Sequence, residues 1–195
     1  MRSVYSFVVE PKGERYNNSK MVRNTELILN TEIFNHKYVN REAIVKSVPI
    51  VLETEIKPGD TVIVHHNVFR RWHNQRGEEK NSTSHFDDNT YILTEQQIFA
   101  YKRKDKWKPL KGYCFIKPIK EDDKFSINNE KLIGIVKHSD GIVNEGDLVG
   151  FDSISQYEFV IDGERLYRVE SNKIKIKYEY QGDEEEYNPS WAQSS

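Results

Sequence analysis

One turn occurs twice in this chain, and it constrains the fold more than any other feature. Lys57-Pro58-Gly59-Asp60-Thr61-Val62 has the layout of Asn144-Glu145-Gly146-Asp147-Leu148-Val149: a lead-in, a Gly-Asp pair, then the start of an apolar run. Such a pair suits a tight turn that opens a strand. Three further matches flank it in the same order. Val8-Val9-Glu10-Pro11 corresponds to Phe115-Ile116-Lys117-Pro118, and Glu42-Ala43-Ile44-Val45-Lys46 to Ile133-Gly134-Ile135-Val136-Lys137. After the turn, Tyr91-Ile92-Leu93 and then Ile98 correspond to Tyr167-Arg168-Val169 and then Ile174. Each match alone is weak, but four in one order define an internal repeat. The offset between copies falls from 107 to 91 to 87 to 76 residues. The first copy therefore carries extra residues after its opening strand and again before Tyr91.

The segments within each copy read as short strands separated by turn residues. Residues 173–179 alternate cleanly, with Ile174, Ile176 and Tyr178 on one face and Lys173, Lys175 and Lys177 on the other, as a half-buried strand requires. No long stretch keeps a helical period. A unit of this kind, about 70–100 residues of short strands, is a small barrel or sandwich. Composition agrees. Only 36% of the 195 residues are hydrophobic and 31% are charged, thin for one large core but sufficient for two small ones. The aromatic residues (Tyr 11, Phe 9, Trp 3) argue against disorder. The expected organisation is a first domain at 1–103, a short linker at 104–111 that is charged and contains Pro109, a second domain at 112–180, and a flexible acidic tail at 181–195. The first domain carries a loop at 12–37 and an insertion at 65–89.

Several classes of function are disfavoured by the residues present. Net charge is −2, so there is no whole-chain basic footprint for nucleic acid. No run of 18 apolar residues predicts a membrane span, and the first sixteen residues lack the cleavage pattern of a secretory signal. Cys114 is the only cysteine, which excludes an intrachain disulfide and suits a reducing, cytoplasmic location. The Asn81-Ser82-Thr83 sequon is then inert. Ser82, His85 and Asp87 could supply a hydrolytic set, but no nucleophile-elbow motif accompanies them. No phosphate-binding glycine motif is present. Neither catalysis nor a cofactor is expected.

Two regions remain for function. The insertion holds His65, His66, His73 and His85, but no Cys-x-x-Cys pair, and the spacing matches no standard zinc site, so no metal is expected. It also holds Phe69, Arg70, Arg71 and Trp72. Such a basic aromatic cluster serves either a protein interface or single-stranded nucleic acid; the acidity of the chain favours the protein interface. The loop at 12–37 is polar and turn-prone except for Leu27-Ile28-Leu29. An apolar plug in a polar loop suits a segment that folds on binding and buries a few large side chains in a partner's groove. The competing reading is an ordinary core strand at 26–30.

The order of these elements resembles the GroES-type co-chaperonin family, the 10 kDa chaperonins. That family has an opening strand, a long loop with an apolar tripeptide, a G-x-V strand, a V-K-x-G-D-x-V turn and a closing strand pair beginning Y-x-x-V. Here the second copy reads GIVKHSDGIVNEGDLVGF and then DGERLYRVESNKIKIKYE. The first reads REAIVKSVPIVLETEIKPGDTVIVHH and then NTYILTEQQIFAYKR. The resemblance spans residues 4–179. It implies an all-β chain of two tandem GroES-like small barrels, the first with a mobile loop and a hairpin insertion. It makes Leu27, Ile28 and Leu29 the chaperonin-binding tripeptide and places Phe69–Trp72 in a roof hairpin, in the style of bacteriophage-encoded co-chaperonins. The implied partners are an ATP-bound chaperonin ring of the GroEL type, a client such as a capsid protein, and further copies of the chain in a homo-oligomeric ring. The second copy departs from the pattern, because its matching segment, 120–131, is only twelve residues. One loop would then serve two domains. The same barrels are also compatible with a virion decoration or connector protein.

Overall fold

A computed structural model describes residues 3–16, 19–23, 25–28, 38–119, 132–152, 157–179, 182 and 186. The chain is all-β, and it divides into two compact units, Met1–Lys106 and Trp107–Ser195. The first unit contains β1 (Phe7–Pro11), β2 (Ser19–Val22), β3 (Thr25–Ile28), β4 (Glu42–Ser47), β5 (Thr61–Val64), β6 (Arg71–His73), β7 (Glu79–Asn81), β8 (His85–Asp87), β9 (Thr90–Leu93) and β10 (Ile98–Arg103). Strand β11 (Lys106–Pro109) falls at the division. The second unit contains β12 (Tyr113–Pro118), β13 (Ile133–His138), β14 (Leu148–Phe151), β15 (Tyr157–Ile161), β16 (Glu164–Glu170) and β17 (Ile174–Tyr178). No helix among the described residues is long and apolar enough to cross a membrane.

The repeat is also a repeat of topology. The larger sheet has the order β11-β10-β5-β4-β1-β9-β8, and the sheet of the second unit β15-β16-β12-β13-β14-β17. Without β11, the first order reversed matches the second strand for strand. Registers repeat as well. Val9 faces Val45 and Tyr91, while Ile116 faces Val136 and Tyr167. Both opening strands carry an irregularity at one position, between Val8 and Val9 and between Phe115 and Ile116. A bulge there bends each strand and increases its twist.

The Gly-Asp turns have one construction. Gly59 and Gly146 both adopt φ 92°, in the left-handed region where a side chain is strained. The Asp60 carboxylate accepts the Lys57 N–H at 2.8 Å, and the Asp147 carboxylate accepts the Asn144 N–H at 2.9 Å. Each glycine N–H then donates to the preceding strand, to the Val45 or Val136 carbonyl, at 2.7 Å. The turn chemistry therefore pins the start of β5 and of β14 against its neighbour. In the second unit Cys114, Ile116, Val136, Val149, Phe151, Tyr167 and Val169 form one core cluster. Cys114 is fully buried, 3.3 Å from the Ser171 hydroxyl, and burial pushes its thiol pKa up, which disfavours the thiolate.

Three expectations need correction. The segment 104–111 is not a plain linker: Lys106–Pro109 forms β11 beside β10, and Trp107 is buried with its indole N–H donating to Asp162 at 2.9 Å. The sequence signal was missing because the two-residue turn is Lys104-Asp105, with φ 51° and 58°, and lacks the glycine that usually marks such a hairpin. The alternating face of β17 is packed only at its start: Ile174 lies half-buried against the core cluster, whereas Ile176 is 51% exposed. Finally, the segment 181–195 is not wholly free: Glu186 forms an antiparallel bridge with Ile119.

Candidate functional site

The long loop of the first unit leaves and re-enters through a closed neck. Tyr16 and Val39, both buried, form an antiparallel bridge, and the Asn40 N–H donates to the Arg15 carbonyl at 2.9 Å. Asn40 is only 5% exposed, which a polar side chain tolerates only when its groups are paired. Its amide donates to the Lys12 and Glu14 carbonyls at 2.9 and 2.8 Å, and its oxygen accepts the Glu42 N–H at 2.9 Å. Beyond the neck, β2 and β3 form a separate two-stranded sheet among the described residues, with Ser19 opposite Ile28 and Lys20 opposite Leu27. Val22 faces Thr25, and Arg23 takes φ 48°. Leu27 and Ile28 thus lie on β3, a strand outside both large sheets. Leu29 lies outside the described residues.

The insertion is fastened to this neck. Strands β6 and β7 form a separate hairpin, with Trp72 opposite Lys80. The Arg71 N–H donates to the Tyr16 hydroxyl at 2.7 Å, and the Arg71 guanidinium sits over the Tyr16 ring, 4.9 Å from its centroid, while pairing with Glu79 at 2.9 Å. From the other side, the Arg15 guanidinium donates to the Phe69 carbonyl at 3.0 Å and to the Asn81 side chain at 2.9 Å. Its far face lies over Tyr91. Planar guanidinium groups suit such stacked, multiply bonded positions better than lysine does. Burial, with Arg71 close by, holds the Arg15 pKa below its ordinary value, and burial raises that of Tyr91.

The four insertion residues singled out from the sequence are split by this arrangement. Phe69 is a core residue and cannot be an exposed anchor: it is 0% exposed and meets Tyr91 edge to face at 4.7 Å. Arg71 is committed to the neck. Arg70 is half-buried, and Trp72, 45% exposed, is the aromatic side chain of the four that faces solvent. Sequence reasoning missed Arg15, Tyr16, Asn40 and Asn81. The only hint was an aromatic residue, Tyr16, isolated in a polar run.

The other candidates do not assemble. Ser82 donates its hydroxyl to the Val68 carbonyl, and His85 is hydrogen-bonded to the Asp88 carbonyl at 3.2 Å, so no hydrolytic triad forms. His65 and His66 stack at 4.3 Å, and among the described residues no group of three or more His, Cys, Asp or Glu could hold a metal ion. No protein-family model matches the chain, and no curated protein matches it.

The neck makes one direct prediction. Tyr16→Phe removes only the hydroxyl that accepts the Arg71 N–H, and stranding that donor costs about 1–3 kcal/mol. Urea unfolding should show the loss, and backbone amide exchange should rise at Arg71. If Arg71 keeps wild-type protection in the variant, the hydroxyl is not its partner.

Proposed function

We propose that the protein is a co-chaperonin, which docks on the rim of a chaperonin ring ATPase through β3 and caps a chamber holding a folding client. The observation that carries the reading is the β2–β3 hairpin: it bears Leu27 and Ile28, forms its own two-stranded sheet among the described residues, and lies in the chain between Tyr16 and Val39, which bridge each other. An apolar segment presented this way suits capture in a groove, and a neck of fixed geometry limits the entropy lost on docking. The duplicated topology of the two units supports the resemblance read from their sequences. Assembly of several copies is supported by an apolar patch on the first unit. Backbone bonds from Ile50 to Ser3 (3.1 Å) and from Val51 to Val4 (3.3 Å) bring together Val4, Tyr5, Ile50 and Val51, each at least half exposed.

The same patch suits a β-built virion component, the second reading. Incubation with a GroEL-type ring, with and without ATP, followed by native mass measurement separates the two. The co-chaperonin reading expects a nucleotide-dependent complex, which Ile28→Asp weakens at least about tenfold, because a charge is desolvated in every docked loop. Failure of the wild-type chain to bind in any nucleotide state rules the reading out. If the complex forms but Ile28→Asp binds unchanged, the loop assignment is wrong.

A further inference from the structure

The two copies differ at one matched pair of positions in a way that creates a second site. In the first copy Glu10 on β1 and Lys46 on β4 form a direct ion pair at 2.7 Å. The corresponding residues in the second copy are Lys117 on β12 and Lys137 on β13. Two cations thus stand where the first copy has an ion pair. The Lys117 side chain is only 6% exposed, a burial that an uncompensated ammonium does not tolerate.

Compensation comes from two directions. Glu164 on β16 approaches the Lys117 ammonium at 2.8 Å. Glu186, twelve residues beyond the last matched position, Ile174, places one carboxylate oxygen 2.8 Å from Lys117 and the other 2.5 Å from Lys137. Its backbone bridges Ile119, just past β12. One residue therefore supplies both a carboxylate that joins the two ammonium groups and a main-chain pairing. Charge-assisted bonds of this kind are the stronger class. Burial pushes the Glu186 pKa up, but the bonds to Lys117 and Lys137 outweigh it and leave it below the usual carboxylate range. Burial likewise opposes the charge on Lys117, and the bonds to Glu164 and Glu186 win.

We propose that Lys117 and Lys137, with the backbone of Ile119, form a receptor notch for an extended acidic peptide, filled in this structure by the chain's own Glu186. Main-chain pairing fixes the peptide's direction, and the two ammonium groups select a carboxylate, the division of labour seen when a peptide adds to a sheet edge. Glu164 stays with Lys117 when the notch empties, so the buried ammonium keeps one partner and the sheet remains folded. In the first copy Glu10 is itself the partner of Lys46. The proposal is independent of any chaperonin partner.

The test uses the full-length chain and backbone amide exchange of peptides covering residues 181–188. Glu186→Gln and Lys137→Gln should each accelerate exchange there at least about fivefold, while β12 and β16 stay protected. A synthetic peptide of residues 181–190 should bind Glu186→Gln at least about tenfold more tightly than wild type, and salt should weaken it. Unchanged exchange in both single variants overturns the notch. So does peptide binding that persists when Lys137→Gln is added. If Glu186→Gln instead raises exchange throughout β12–β16, the contact is a structural ion pair and the notch is likewise overturned.

Discussion

Phe69→Ala is expected to lower the unfolding free energy by about 3–5 kcal/mol, whereas Trp72→Ala, three residues on, should change it by less than about 0.5 kcal/mol. Phe69 is 0% exposed and packs edge to face on Tyr91, itself fully buried, and the adjacent Val68 is buried too. The site cannot easily collapse around a missing ring, because Arg15 holds the Phe69 carbonyl and Tyr16 holds the next turn of backbone through Arg71. A cavity whose walls are pinned keeps its full cost. Small domains are stable by only about 5–15 kcal/mol, so the variant should unfold at much lower denaturant. Trp72 stands on the outer hairpin, 45% exposed, and its loss removes little burial. Urea titrations of both variants check the pair. Equal, small effects would place the Phe69 ring at the surface, against the structure.

Gly134→Ala should be the most damaging one-methyl change, costing about 3 kcal/mol or more. A Cβ at this position would lie 2.4 Å from the Lys117 carbonyl oxygen and 2.7 Å from the Ile116 Cγ2. Neither obstacle is a flexible tip. The carbonyl belongs to the main chain of β12, and Ile116 is fully buried in the core cluster. The first copy carries alanine at the matched place, Ala43, fully buried opposite Pro11. The copies have thus divided volume differently, Val9 with Ala43 in one and Ile116 with Gly134 in the other. Calorimetry should show the loss as a lowered melting temperature. A wild-type melting curve for Gly134→Ala would mean that β12 and β13 lie farther apart than described.

Much of the architecture was legible before any coordinates. The Gly-Asp turns, the alternating strands and the order of the four matched blocks anticipated an all-β chain with the same succession of strands in both units, because turn chemistry and a two-residue period act over a few neighbours. The misreadings have local causes. Lys104-Asp105 forms a hairpin turn without glycine, so β11, with its charges and Pro109, read as a linker. Phe69 sits beside Arg70, Arg71 and Trp72 in sequence, and composition alone could not separate the inward ring from the outward one.

By itself, then, the sequence determined that this is a duplicated all-β chain, with one extended loop carrying an apolar tripeptide and one long insertion. Only the tertiary structure decided how those parts are joined. Arg15 and Tyr16 meet Phe69 and Arg71 more than fifty residues away, and Lys117 meets Glu186 after nearly seventy. Such partners are chosen by which strand ends the folded sheet brings together, and no local propensity in either segment specifies the other. A buried lysine or a pinned loop neck exists only once those distant segments have met.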